Sequence, residues 1–103
     1  MRYYHVAGRD YTKGEPLLCW NRLAELGAVT EADWRWADAD PGFDGDVVCL
    51  FETLAEAQEF AAEHGGTILA VDVPDDQQQY IVRVEEGYPA MPGEVPAEWI
   101  TRI

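Results

Sequence analysis

The chain has 103 residues, and 48% of them are hydrophobic, which supports one hydrophobic core and excludes a disordered chain. Seven basic against 20 acidic side chains give a net charge of −13 at pH 7. This charge disfavours direct binding to nucleic acid or to an anionic membrane, and no apolar run is long enough to cross a bilayer. We therefore expect a single soluble domain over residues 1–103, located in the cytoplasm.

The first part of the chain predicts a strand followed by a helix. Residues 3–7 are aromatic and β-branched and stop at Gly8, which is typical of a short strand. Residues 14–26 predict a helix, because Pro16 suits a first turn and apolar side chains recur at helical spacing up to Gly27.

The next part predicts a second, shorter helix and an acidic loop. A capping-box pattern begins at Thr30 and indicates the helix. Residues 38–46 contain four aspartates, but their spacing does not match the calcium-binding loop of an EF-hand. A solvated loop is therefore expected there.

Two apolar strands flank a helix in the second half of the chain. Residues 47–51 and 67–73 are nearly continuous apolar runs, as in strands that are covered on both faces. Between them, Thr53 and Glu56 form a capping-box pattern, and Gly65 ends the helix that follows. This unit would have a right-handed crossover if its two strands were parallel.

The last part of the chain predicts one more strand and a mostly irregular tail. Tyr80, Val82 and Val84 alternate with other residues and would share one face of a strand. Three prolines then predict irregular structure, until Trp99 and Ile100 anchor the end of the chain. The order of elements predicts an α+β domain, with two to three helices packed on a small mixed β-sheet.

The cysteines and the glycine and serine content exclude several kinds of site. Cys19 and Cys49 both lie in apolar runs, which favours two buried core thiols. No spacing typical of zinc ligands is present, so no metal site is predicted. The chain contains no serine and no phosphate-binding glycine loop, which excludes serine nucleophiles and the P-loop nucleotide folds.

Basic residues are concentrated near the start of the sequence. Residues 1–13 carry Arg2, Arg9 and Lys13 against one acidic residue, a local charge of +2 in an otherwise acidic chain. In an acidic protein, such a basic region is where an anionic ligand would bind. The alternative is that these cations pair with neighbouring carboxylates.

Three short motifs follow one another in a distinctive order. They are the Tyr-His pair at residues 4–5, the Phe51-Glu52-Thr53 sequence before an alanine-containing helix, and the closing segment PGEVPAEWI at residues 92–100. In this order they resemble a small ADP-ribosyltransferase-like domain, of the family that includes the NAD-using RNA 2′-phosphotransferases.

The resemblance implies an ADP-ribosyltransferase-like fold that binds NAD and transfers ADP-ribose to an acceptor or cleaves the nicotinamide–ribose bond. It implies that His5 contacts the NAD ribose, that the Thr53 hydroxyl supports the active site, and that Glu86 binds the nicotinamide ribose. A carboxylate at that place would stabilise the positive charge that develops as nicotinamide leaves. The NAD-binding residues would be Tyr4, Arg9, Phe51 and Tyr88, with aromatic rings beside the nicotinamide. The basic region of Arg2, Arg9 and Lys13 would face the pyrophosphate.

The sequence departs from the family pattern at two places. Val6 follows His5 where the family has a small residue. Counting back from the closing segment by the family's spacing lands on Tyr88, two residues after Glu86. Either a longer loop brings Glu86 into place, or the acid is missing and the domain has no activity.

A second interpretation assigns the same scaffold no catalytic role. A non-catalytic interaction module would use its acidic surface to bind a basic protein partner, and four tryptophans would suit such an interface. In that interpretation His5 is an ordinary strand histidine and Thr53 is only a helix cap. A third interpretation is a different fold in which the order of the motifs is coincidental.

Overall fold

The structure is a computed structural model that describes residues 1–7, 14–27, 46–84 and 87–103. The described part is an α+β domain of short strands and a few helices. In chain order its elements are β1 (Arg2–Ala7), β2 (Leu17–Leu18), α1 (Trp20–Glu25), β3 (Val47–Cys49), α2 (Leu54–His64), β4 (Thr67–Asp72), a 3₁₀ helix (Asp75–Tyr80), β5 (Val82–Arg83), β6 (Pro89–Pro92), β7 (Glu94–Val95), a 3₁₀ helix (Ala97–Trp99) and β8 (Ile100–Arg102). The predicted short helix from Thr30 and most of the acidic loop lie outside the described residues.

The strands form three small sheets, with orders β1-β4-β8, β3-β6-β5 and β2-β7. Every strand pair in the described residues is antiparallel. The predicted mixed sheet is therefore wrong for this part of the chain. The two strands that flank α2 lie in different sheets, so they form no parallel crossover unit. A continuous apolar run indicates that a strand is buried, but it does not indicate the direction of the neighbouring strand.

Helix α2 begins and ends at the predicted residues. The Oγ1 atom of Thr53 accepts a hydrogen bond from the Glu56 N–H at 3.2 Å, which caps the helix. Gly65 ends it with φ +81°, a conformation that a residue with a Cβ rarely adopts, and its N–H donates to the Ala61 carbonyl at 2.7 Å. Local signals alone determine these two ends.

Two other predictions are wrong in part, because distant parts of the chain pair with these segments. Leu17 and Leu18 were expected in a helix, but they form a strand with β7, and helix α1 starts only at Trp20. The proline-rich tail was expected to be irregular, but it contains β6 and β7. Pro89 is compatible with a strand because its carbonyl accepts a hydrogen bond from the Leu50 N–H at 2.9 Å, a contact that needs no proline N–H.

The predicted strand over residues 80–84 is shorter than expected. The 3₁₀ helix extends through Tyr80, and β5 contains only Val82 and Arg83. Both strand residues are exposed, and Tyr80 is 52% exposed. The alternating apolar residues Tyr80 and Val82 therefore do not form a buried face of a sheet.

The main core contains side chains from all three sheets. Its buried residues are Tyr3, Cys19, Val48, Leu50, Val71, Val73, Val95 and Trp99. The burial of Trp99 confirms that this residue anchors the end of the chain. Cys19 and Cys49 are both buried and form no disulfide, which confirms the two core thiols. In the described residues, no helix combines the length and the apolar character that crossing a membrane requires.

Candidate functional site

The first two motifs meet where two sheets join. The Tyr4 N–H donates to the Phe51 carbonyl at 2.9 Å, and the Phe51 N–H donates to the Tyr4 carbonyl at 2.6 Å. Just before this bridge, Leu50 still bonds to Pro89, next to the β3–β6 pairing. The chain after β3 therefore leaves one sheet and pairs with β1 of the other, which brings the Tyr-His pair next to the Phe51 motif.

The ring of His5 is fixed by the same part of the chain. Its Nδ1 atom lies 2.7 Å from the Cys49 carbonyl oxygen. Because a carbonyl oxygen can only accept, Nδ1 carries the hydrogen and donates it. In the neutral ring Nε2 is then the accepting nitrogen. Half-buried His5 thus has a defined tautomer and orientation.

Tyr4 and His5 lie on opposite faces of β1, because successive side chains of a strand alternate. Tyr4 and Val6 pack against Phe51 and the inner side of α2. On the other face, Tyr3 packs in the main core, and His5 shares that face. The structure therefore places the His5 ring on the side of β1 away from the aromatic residues around Phe51.

Three of the predicted NAD-binding side chains share one hydrophobic cluster. Phe51, Tyr4 and Tyr88 all belong to it, together with Phe60 of α2. The Phe51 and Tyr88 rings meet edge to face, with centroids 5.7 Å apart. The Phe51 and Phe60 centroids lie 5.5 Å apart, within the usual range for attractive aromatic pairs.

A pocket of about 300 Å³ opens beside this cluster. It is lined by Phe51, Glu56, Glu59, Phe60, Glu63, His64 and Tyr88. The pocket therefore includes two of the predicted site residues, Phe51 and Tyr88. Among the described residues, His5, Thr53 and Tyr4 do not line it.

Exposed Thr53 has a structural role in this arrangement. Besides accepting from the Glu56 N–H, its hydroxyl donates to Glu56 Oε1 at 3.1 Å. Both hydrogen-bonding functions of the hydroxyl are thus used in capping α2. Its predicted role in an active site stays a prediction.

An ion pair ties the Tyr88 segment to the residue after Phe51. The Arg83 guanidinium is hydrogen-bonded to the Glu52 carboxylate, and this bond raises the pKa of Arg83. Arg83 Nη1 also donates to the Gly87 carbonyl at 3.0 Å. Arg83 therefore links the two stretches of chain that carry Phe51 and Tyr88.

The basic region is partly neutralised. Arg2 Nε and Nη2 donate to the two Asp72 carboxylate oxygens at 2.8 and 3.0 Å. The hydrogen bonds from Arg2 lower the pKa of Asp72, and the same contact raises the pKa of Arg2. Arg2 thus pairs with a carboxylate, as the alternative interpretation expects. Arg9 and Lys13 lie outside the described residues, as does the predicted catalytic Glu86.

Comparisons with known proteins do not decide between the interpretations. The chain matches no protein-family model, no curated protein and no solved structure at a significant level. The resemblance therefore rests on the motifs of this sequence, and function has to be argued from the geometry of the site.

The pocket residues on α2 were not singled out from the sequence. Their positions, 56, 59, 60, 63 and 64, follow the i, i+3, i+4, i+7, i+8 spacing that places side chains along one stripe of a helix. Three of these five are glutamates, so the stripe looks like an ordinary solvated face. One signal could have identified this stripe as a site. It carries a phenylalanine and a histidine among its glutamates, and it lies next to the buried side of the helix, which contains Ala57.

Proposed function

We propose that this chain is an NAD-binding, ADP-ribosyltransferase-like protein that transfers ADP-ribose or cleaves the nicotinamide–ribose bond. The observation that supports this proposal is the bridge between Tyr4 and Phe51. It joins two motifs that are 47 positions apart in the sequence, and Tyr88 packs against the same Phe51 ring. Two of the three motifs that suggest the family are thus neighbours in space.

Each proposed residue has a defined chemical task. The aromatic rings of Phe51 and Tyr88 would contact the flat nicotinamide ring. His5, held by the Cys49 carbonyl, would contact the ribose. Because its ring lies on the face of β1 opposite to Phe51 and Tyr88, NAD would have to extend from one face of the strand to the other. The Glu86 carboxylate would stabilise the positive charge on the ribose when the bond to nicotinamide breaks and its electron pair leaves with the ring.

The charges place one restriction on how NAD binds. Glu56, Glu59 and Glu63 border the pocket and would repel a pyrophosphate. The pyrophosphate would therefore bind away from α2, and Arg9 is the residue proposed to hold it. The net charge of −13 also favours water, a small molecule or a protein as the acceptor over a nucleic acid. A cytoplasmic location stays a prediction from composition.

The experiment is a measurement of nicotinamide release from NAD by the wild type, Glu86→Gln and the matched variant Glu85→Gln. Both substitutions remove one negative charge from adjacent positions. We expect release by the wild type, a decrease of roughly 100-fold in Glu86→Gln, and a change of less than about twofold in Glu85→Gln. Equal and negligible rates for all three proteins would contradict the enzymatic proposal.

Binding of NAD can be measured separately from turnover. Tyr88→Ala removes the ring that packs on Phe51, whereas Tyr80→Ala removes a ring that is 52% exposed outside the cluster. We expect Tyr88→Ala to weaken NAD binding roughly tenfold in calorimetry and Tyr80→Ala to leave it unchanged. An identical affinity for both variants would remove Tyr88 from the NAD site.

A further inference from the structure

The pocket beside α2 has aromatic walls and an acidic border. Phe51, Phe60 and Tyr88 supply three aromatic side chains, and the Phe60 ring lies 4.7 Å from the His64 ring, centroid to centroid. Glu56, Glu59 and Glu63 lie along the same stripe of α2 as Phe60 and His64. A volume of about 300 Å³ is large enough for an organic side chain.

The wall of this pocket carries more acidic than basic side chains, and its histidine already faces one of the acids: His64 Nε2 lies 3.8 Å from Glu63 Oε2. The described residues that line it include three glutamates and one histidine, but no lysine or arginine. The nearby Arg83 is engaged by Glu52. A positively charged group is therefore the complement that the pocket favours.

Two features of the pocket select the kind of cation. In the described residues, no three histidine, cysteine, aspartate or glutamate side chains are close enough together to hold a metal ion. The carboxylates of Glu56, Glu59 and Glu63 are spread along about two turns of helix. This spacing suits an organic cation, which is larger than a metal ion. The aromatic side chains favour a cation with a flat apolar face.

We propose that this pocket binds an arginine side chain of a basic protein partner. A guanidinium stacks on aromatic rings and directs its N–H groups in the ring plane towards carboxylates, whereas the ammonium of lysine is a compact, strongly hydrated charge. The three aromatic side chains would contact the flat faces of the guanidinium, and Glu59 and Glu63 would accept its hydrogen bonds.

This inference does not depend on NAD binding. The pocket shares Phe51 and Tyr88 with the proposed nicotinamide contact, so an arginine side chain and nicotinamide would compete for these rings. The inference holds for a module without activity, and for an enzyme that binds the partner and NAD in turn. The measurement described next contains no NAD, so a failure of the proposed NAD site and a failure of the arginine pocket are separate results.

The experiment compares a hexa-arginine peptide with a hexa-lysine peptide of the same charge, by calorimetry at 0.15 M salt, where long-range attraction is screened. The pocket variant is Glu59→Gln/Glu63→Gln. The matched control is Glu94→Gln/Glu98→Gln, which removes the same charge from two exposed positions outside the pocket. A third variant, Phe60→Leu, keeps an apolar side chain but removes the ring.

We expect the wild type to bind hexa-arginine roughly fivefold more tightly than hexa-lysine. The pocket variant should lose roughly tenfold in affinity for hexa-arginine, and the control less than about twofold. Phe60→Leu should abolish the preference for arginine. An equal loss of affinity in the pocket variant and the control would show that the whole acidic surface attracts the peptide. Equal affinity of the wild type for the two peptides would show that the aromatic rings play no part. Either result overturns the proposal.

Discussion

Arg2 and Asp72 form an ion pair that links the start of β1 to the end of β4. The two guanidinium hydrogen bonds hold the Asp72 carboxylate in its ionised form and lower its pKa. The Arg2 guanidinium, at the start of β1, is therefore already bound to a carboxylate. An anionic ligand at this place would have to compete with Asp72.

The pair predicts a pH dependence of stability with a defined sign. The pKa of Asp72 is lower in the folded than in the unfolded protein. Its ionised form therefore contributes fully to stability above the unfolded pKa, about 4, and this contribution is lost as the pH falls through the lower folded pKa. We therefore expect Asp72→Asn to lower the free energy of unfolding at pH 7 and to have little effect near pH 2. Urea denaturation at the two pH values measures this.

Asp75→Asn is the matched control, since Asp75 is an exposed aspartate three positions away, in the following 3₁₀ helix. We expect it to change stability equally little at both pH values. The effect of Asp72→Asn should be small, because both members of the pair are half exposed and therefore screened by solvent. A destabilisation that persists unchanged at low pH would contradict this assignment.

Helix α2 and strands β6 and β7 show which elements can be predicted from sequence. Both ends of α2 follow from local signals, a cap at Thr53 and a positive-φ glycine at Gly65. By contrast, β7 forms because Leu17 and Leu18 pair with it from far away in the sequence. Local propensity contains no information on such a partner, so the proline-rich tail looked irregular.

The capping role of Thr53 predicts a separation between stability and activity. Thr53→Ala removes the cap and should cost about 1 kcal/mol of stability, whereas Thr53→Asn retains a capping side chain and should cost less than about 0.5 kcal/mol. Chemical denaturation of the two variants measures this difference.

Nicotinamide release by the same variants then tests the second role. If the Thr53 hydroxyl also serves the active site, Thr53→Asn should be as stable as the wild type but release nicotinamide more slowly. Unchanged release by Thr53→Asn would leave Thr53 with the capping role alone.

The three sheets depend on one another, because the main core takes side chains from each of them. Leu50 is 1% exposed and lies between the pairing of β3 with β6 and the bridge at Phe51. The site depends on the same junction, since Tyr4 and Phe51 meet there. This arrangement could be predicted only in part: the buried strands were visible as apolar runs, but which strand lies beside which is decided by packing between distant segments.

Loss of the Leu50 side chain should therefore destabilise the whole domain. We expect Leu50→Ala to lower the free energy of unfolding by about 2–5 kcal/mol, the usual cost of a cavity at a fully buried leucine. Leu26→Ala, at a leucine that is 57% exposed, should change it by less than about 0.5 kcal/mol. Similar values for the two variants in urea denaturation would contradict the position of Leu50 in the core.

The structure brings together only some of the predicted site residues, for a physical reason. Tyr4, Phe51 and Tyr88 come together because aromatic side chains bury their surface in a shared cluster. His5 separates from them because adjacent residues of a strand face opposite ways. The order of motifs in a sequence cannot show on which face each side chain lies.

The central claim is that NAD binds where Tyr4 pairs with Phe51, and an NMR titration of NAD into the labelled protein tests it most directly. We expect the largest chemical-shift changes at the His5 ring, at Phe51 and at Tyr88, with Asp75 and Leu26 unaffected. Saturating NAD that leaves the signals of His5, Phe51 and Tyr88 unmoved would contradict the claim.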